Sequence, residues 1–158
     1  MFRNRLIHCA LFFALSLAPA VWAQDITITQ VFVREMLPGS KVTAGYFTLT
    51  NNTHKPVTLQ SVTSPLSSRI EIHQHVMKNG LMKMQQVNDA IVIKPDDTLQ
   101  FQPGGLHLMV FHPTTKIIKS LAFELTFSFK QAQTLIVPGK VVSVLDDPQL
   151  TSKHSHHH

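Results

Sequence analysis

Alternation of apolar and polar residues with a period of two is the feature that most constrains the fold of this chain. It runs through ten segments rich in Val, Ile, Thr and Phe: 26–34, 44–51, 57–63, 69–76, 81–87, 89–93, 98–102, 106–112, 121–129 and 133–144. Turn signals such as "LPGS", "KNG", "KPDD" and "QPGG" separate several of them, and no segment shows a sustained helical period. About nine short strands at this spacing are typical of a β-sandwich. We therefore predict an all-β fold, an antiparallel Greek-key β-sandwich.

The first residues have the layout of a secretory leader. Two arginines precede an apolar run that ends in small residues, as in signal peptides. We predict a signal peptide over 1–23, a β-sandwich domain over 24–145 and a flexible His-rich tail over 146–158. Cleavage after Ala20 is the alternative to cleavage after Ala23. A membrane anchor is the other interpretation, but the run is short for a bilayer span, so we expect no stable membrane insertion after cleavage.

Cysteine content and charge exclude several function classes. Cys9 is the only cysteine, and it lies before most of the apolar run, which is the wrong place for the lipidated cysteine of a lipoprotein. Its removal with the leader would leave no thiolate for a disulfide, a nucleophile or a metal. The remaining chain has twelve basic and nine acidic side chains, a net charge of +3. That charge is too small to indicate a nucleic-acid partner.

Alternation also places histidines and methionines on common strand faces. In 69–76, Glu71, His73 and His75 share one face, and in 106–112 His107 and Met109 share one. Residues two apart on a strand are about 7 Å apart at the backbone. Two long side chains at that spacing can converge on one ion.

The Asn-Gly pair at 79–80 predicts a tight hairpin in the same region. A two-residue loop would place His75 opposite Met84 and His73 diagonal to it, within reach of long side chains. One face of the hairpin would then carry His73, His75, Met77, Met82 and Met84.

This set of side chains favours a soft metal ion. Thioether sulfur is soft and imidazole is borderline, and together they suit copper, especially Cu(I). Hard cations prefer carboxylates, and structural zinc usually recruits cysteine. A single Met on a strand is usually core filler, and a single His is often a surface residue. Here, however, three of the five methionines beyond the leader lie within eight residues, beside two histidines.

The spacing of these residues resembles that of the PCuAC-type periplasmic copper chaperones. The signature of that family is His, ten residues, Met, about twenty-one residues, His, one residue, Met. In this chain ten residues separate His73 from Met84, twenty-two separate Met84 from His107, and one separates His107 from Met109. The surrounding text, "EIHQHVMKNGLMKM" and "FQPGGLHLM", is also similar to that of the family. The one-residue excess spans the "KPDD" turn, where an insertion is tolerable.

The resemblance implies a cupredoxin-like sandwich and a function in copper handling. It implies that His73, Met84, His107 and Met109 hold one Cu(I), whereas the hairpin count alone favours His75, which we keep as an alternate ligand. It further implies a periplasmic carrier rather than an enzyme, with delivery toward the CuA centre of a haem-copper oxidase, alongside Sco-type proteins. A second ion, Cu(II), could be held in the tail by His154, His156, His157 and His158.

Three other functions are weighed against this one. A blue-copper electron carrier needs a Cys thiolate, which the chain lacks beyond its leader. A hydrolase or other metalloenzyme would need a nucleophile elbow or paired carboxylates, and neither motif is present. A secreted β-sandwich adhesion or assembly module without a metal role is the remaining alternative, in which the His and Met residues would be incidental.

Overall fold

The computed structural model describes residues 25–130 and 134–143, and that part of the chain forms ten strands. They are β1 (Ile26–Arg34), β2 (Val42–Asn51), β3 (Val57–Thr63), β4 (Arg69–Lys78), β5 (Leu81–Gln86), β6 (Ile91–Ile93), β7 (Thr98–Phe101), β8 (His107–Phe111), β9 (Phe123–Phe129) and β10 (Thr134–Val142). Each overlaps a segment predicted from alternation, because successive side chains of a strand point to opposite faces. The predicted signal peptide, 1–23, and the predicted tail, 146–158, lie outside the described residues. Nowhere in the described ranges is there a helix long and apolar enough to cross a bilayer.

The strands form an open sheet folded into two packed layers. Its order is β5-β4-β8-β2-β1-β10-β9-β3-β6, and β7 pairs with β2 beside β8. One layer contains β5, β4, β8, β2, β1 and β7, and the other contains β9, β3 and β6, with β10 between the two. The predicted all-β sandwich is therefore confirmed. The sheet is not closed, so β5 and β6 remain edge strands.

The pairing of β1 with β10 is parallel, which departs from the antiparallel prediction. The other pairings between these ten strands are antiparallel. A parallel pair needs a long connection, and here eight intervening strands supply it. β10 pairs with β9 up to Gly139 and with β1 from Lys140 onward. A Cβ at Gly139 would collide with the ring of Phe123, so the absence of a side chain leaves room for that ring at the point where the strand changes partners.

Aromatic rings from both layers fill the space between them. Phe47 of β2 stacks on Phe101 of β7 with ring centroids 4.0 Å apart, and it meets Phe127 of β9 edge-on at 4.9 Å. Leu108 and Val110 of β8 point into this core and are fully buried. The intervening residues of β8 therefore face away from the core.

Candidate metal site

The hairpin between β4 and β5 has the register that a two-residue loop requires. Asn79 and Gly80 have φ angles of 53° and 75°, the positive values that favour Asn-Gly in tight hairpins. His75 consequently lies opposite Met84, and Met77 lies opposite Met82. The hairpin count made from the sequence is confirmed. His73 lies opposite Gln86 rather than Met84.

The pairing of β4 with β8 brings the histidines of the hairpin next to His107 and Met109. His73 is paired with His107, and Glu71 with Met109. Paired residues of neighbouring strands project from the same face. The shared face, which we call the His/Met face, lies on the side of β8 opposite the core. It carries His73, His75, Met77, Met82, Met84, His107 and Met109.

Three imidazole rings cluster on this face. The centroids of His75 and His107 are 5.1 Å apart with the rings stacked at 26°, and those of His73 and His107 are 6.2 Å apart at 41°. His107 is only 3% exposed. The cluster thus has a buried histidine at its centre and two partners from the adjacent strand.

The hydrogen bonds of His107 determine which of its nitrogens is free. Its Nδ1–H donates to the carbonyl oxygen of Gly105 at 3.0 Å. A neutral imidazole carries one N–H, so Nε2 retains its lone pair. Metal-binding histidines commonly donate their other N–H to a carbonyl or a carboxylate in this way. The "PGG" turn before β8 therefore supplies the group that orients this ring.

The ring of His73 is oriented by a side chain of its own strand, β4. Its Nε2–H donates to Oε2 of Glu71 at 2.8 Å, and the other carboxylate oxygen accepts from Nε of Arg69 at 2.7 Å. The guanidinium of Arg69 in turn lies over the ring of Phe111, 4.2 Å from its centroid. Nδ1 of His73 is buried and has no hydrogen-bond partner, and the same holds for Nδ1 of His75. Buried polar atoms without partners are rare in folded proteins.

The electrostatics of the site favour an ionised Glu71 and a neutral His107. The hydrogen bond from His73, followed by that from Arg69, lowers the pKa of Glu71 below its ordinary value. Glu71 therefore stays ionised and able to accept. Burial is the main cause that lowers the pKa of His107. His107 is consequently neutral around pH 7, as a ligand must be.

The methionines of the candidate set differ in exposure. Met84, on edge strand β5, is 50% exposed. Met109 is partly buried and paired with Ala44 on one side and Glu71 on the other. It also lines a shallow surface pocket of about 320 Å³ together with Val42 and Ala44. One sulfur-bearing side chain is thus accessible from solvent, and the other is held against the sheet.

Histidine and carboxylate side chains alone do not complete a site. In residues 25–130 and 134–143, no group of three or more His, Cys, Asp or Glu side chains is arranged to hold a metal ion. The tail histidines proposed for Cu(II), His154, His156, His157 and His158, lie outside the described residues. Sequence reasoning missed the role of Glu71, although alternation had placed it on the face of His73.

Comparisons with known proteins place the chain in a family. The family model described as "Putative lipoprotein LpqE-like" matches residues 26–141. An uncharacterized protein of Rickettsia prowazekii, RP573, is 33% identical over 105 residues, which cover 66% of this chain and 57% of that protein. The chain therefore spans little more than half the length of that relative. A Leifsonia xyli protein named as a lipoprotein, Lxx21020, is 26% identical over 124 residues, covering 77% of this chain and 74% of that one.

Solved structures with the same fold include PCuAC domains. The copper-bound PCuAC domain from PmoF2 superposes with a TM-score of 0.61 at 22% identity, over 75% of this chain and 93% of that domain. The Cu(I) form of DR1885 from Deinococcus radiodurans gives a TM-score of 0.61 at 25% identity, over 82% of this chain and 85% of that protein. The chain belongs to the LpqE-like family, and its sandwich has the PCuAC-type fold.

Proposed function

We propose that this protein is an exported copper carrier that binds one Cu(I) through His73, Met84, His107 and Met109. The observation that carries the proposal is the pair formed by His73 and His107. Each ring donates one N–H to an oxygen of the protein, which leaves its second nitrogen as the candidate donor to copper. Proteins of the same fold, at up to 25% identity, have been solved with copper bound. The role is carriage rather than catalysis.

The donor set fits Cu(I) better than other common ions. It combines neutral imidazole nitrogens with neutral thioether sulfurs, the ligands that soft monovalent copper prefers. Calcium and magnesium would require several oxygen ligands, and the carboxylate of Glu71 is already engaged by His73 and Arg69. The buried Nδ1 of His73, which lacks a hydrogen-bond partner, would coordinate the ion through its lone pair.

Ring geometry favours His73 over His75 as the partner of His107. The lone pair of an imidazole nitrogen lies in the plane of its ring, so two ligands serve one ion well where their planes intersect nearby. The rings of His75 and His107 are stacked at 26°, whereas those of His73 and His107 are tilted by 41°. His73 is also the ring held by a carboxylate, as metal ligands commonly are. His75 remains the alternate ligand.

The exposure of the site suits transfer of the ion. An incoming ligand from an acceptor protein must reach copper before a resident ligand leaves. Met84 is half exposed on an edge strand, whereas His107 is buried and oriented by Gly105. Met84 would therefore be exchanged first, and His107 would hold the ion until the acceptor has bound it. No electron moves in this exchange, since copper stays monovalent.

The destination and the location follow from the same proposal. A protein with a removable leader over 1–23 would act in the periplasm, where thioethers resist the oxidation that thiols undergo. The acceptor we propose is the CuA centre of a haem-copper oxidase subunit or a Sco-type protein. The histidines of the tail over 146–158 would hold a second ion, as Cu(II), because imidazoles suit that oxidation state.

X-ray absorption and chelator competition on the Cu(I)-loaded protein test the site. The spectrum should contain both sulfur and nitrogen scatterers, and the double variant Met84→Leu/Met109→Leu should lose the sulfur contribution of these two residues and bind Cu(I) more weakly. Leucine retains the approximate volume of methionine. The matched control is Met36→Leu, which removes a sulfur packed against the core and should change neither measurement. Equal affinity of the double variant and the wild type would refute the proposed ligand set.

A further inference from the structure

The tip of the β4–β5 hairpin exposes large apolar side chains that the four-ligand site does not use. Met77 is 65% exposed, Leu81 64% and Met82 63%. Met77 and Met82 share the His/Met face, whereas Leu81, paired with Lys78, lies on the other face. Two of the three carry a thioether sulfur, so the tip combines accessibility with an affinity for soft ions.

The two sulfur-bearing side chains of the tip are direct cross-strand partners. Met77 is paired with Met82. In a two-residue hairpin the two residues next to the loop, here Lys78 and Leu81, form a hydrogen-bonded pair. The following pair, Met77 and Met82, is therefore a non-hydrogen-bonded pair, in which the side chains lie closer together. The Cβ atoms of such a pair lie about 4.5–5.5 Å apart. Two flexible thioether side chains starting from that distance can bind one ion between them.

The Met77–Met82 pair lies in line with the four-ligand site. One step of two residues along the hairpin, about 7 Å, leads to the pair His75–Met84, and His73 follows on the same strand. The next pair across, His73–His107, belongs to the proposed copper site. By the same alternation, the two lysines of the hairpin, Lys78 and Lys83, lie on its other face. The positive charges that would repel Cu(I) are thus directed away from this line of ligands.

We propose that Met77 and Met82 form an accessory Cu(I) site of two sulfurs, through which the ion enters and leaves the four-ligand site. This inference rests on the proposed Cu(I) function and adds a second binding site to it. Two neutral thioethers offer fewer donors than the four-ligand set, so the accessory site fills second and releases the ion faster. Movement into the four-ligand site is ligand exchange: the bonds from copper to the sulfurs of Met77 and Met82 break as bonds to the sulfurs and imidazole nitrogens of that site form. Copper remains monovalent, and no proton is released because thioethers carry none.

Methionine methyl NMR tests the accessory site directly. The full chain, labelled with ¹³C at its methionine methyl groups, is titrated anaerobically with Cu(I). The titration continues until two equivalents have been added in excess of any copper that the tail binds. The methyl signals of Met84 and Met109 should shift first, and those of Met77 and Met82 should shift together in a later transition. In Met77→Leu that later shift of Met82 should be lost. Leu81→Ala, which removes exposed apolar surface but no sulfur, should leave both transitions intact.

Each result separates the accessory site from the four-ligand site. Shifts of Met84 and Met109 alone would overturn the accessory site and leave the proposed function standing. Shifts of all four methyls in one transition would also overturn it, because the tip would then be part of the main site. Undiminished response of Met82 in Met77→Leu would refute the pairing. Absence of any methionine response would refute the proposed function itself.

Discussion

His73 and His107 are direct partners in the register of β4 and β8, and their ring centroids lie 6.2 Å apart. Backbone pairing between two strands, rather than the conformation of a loop, sets this distance. Each ring is further fixed by one hydrogen bond to an oxygen of its own segment, from Glu71 or Gly105. The two imidazoles are therefore preorganised, and a substitution in one leaves the orienting contact of the other in place.

Substitution of the two histidines of β4 should have unequal effects. We expect His73→Gln to weaken Cu(I) binding by at least about tenfold, equivalent to about 1.4 kcal/mol, because it removes an oriented ligand. His75→Gln should weaken it much less, since the ring of His75 stacks on His107. Chelator competition measures both affinities. The reverse order of effects would show that His75 is the ligand.

Removal of the carboxylate that orients His73 should reduce affinity without removing a ligand. Loss of such an outer partner typically lowers metal affinity by about 10–100-fold, and we expect that range for Glu71→Ala. Glu71→Gln keeps an oxygen acceptor and should restore part of the affinity. In the metal-free wild type, ¹H–¹⁵N spectra should show the proton of His73 on Nε2, and this preference should disappear in Glu71→Ala. Glu124→Ala, at an exposed acid of β9, is the control and should change neither readout.

The stability of the metal-free protein should fall as the pH drops below 6.5. Burial holds the pKa of His107 below that ordinary value, so between the folded pKa and 6.5 the unfolded chain binds a proton that the folded chain does not. The contribution of His107 is therefore complete above pH 6.5 and is lost progressively below it. Urea unfolding above and below pH 6.5 measures the loss, and an NMR titration of the His107 ring measures its pKa. A ring that titrates at or above 6.5 would contradict the prediction. His54→Gln, at an exposed loop position, should not alter the pH dependence.

Truncation of the central aromatic side chain should destabilise the sandwich strongly. Phe47 is 1% exposed and contacts rings of both layers, Phe101 and Phe127. Replacement of such a phenylalanine by alanine costs about 3–5 kcal/mol. Val92→Ala, at a position that is 61% exposed, should stay within about 0.5 kcal/mol of the wild type. Urea denaturation of both variants checks the difference, and equal midpoints would place Phe47 outside the core.

Local sequence signals predicted much of the site because they act over short distances. Alternation placed Glu71, His73 and His75 on one face of β4, and Asn79-Gly80 set the partner of Met84, because a two-residue loop allows one register. Both predictions are confirmed by the strand pairing. The ligand set itself was selected by resemblance in spacing, and it stays a prediction.

Non-local features could not be read from local patterns. Alternation does not state which strand lies beside which, so the parallel pair of β1 and β10 and the placement of β8 beside β4 were not predicted. The burial of His107 depends on that placement. The bond from His73 to Glu71 depends on side-chain rotamers, which the period of a strand does not specify.

The last described strand has a consequence for the whole molecule. β10 pairs with β9 through its first residues and with β1 through its final ones. A single strand therefore connects the layer that bears the imidazoles to the opposite layer of the sandwich. Chain termination before Thr134 would remove both pairings and expose the aromatic interior, even though β10 lies several strands away from the proposed copper ligands. The layer that holds the imidazoles is thus not a separable module, and any metal binding at the proposed site depends on the chain having reached β10.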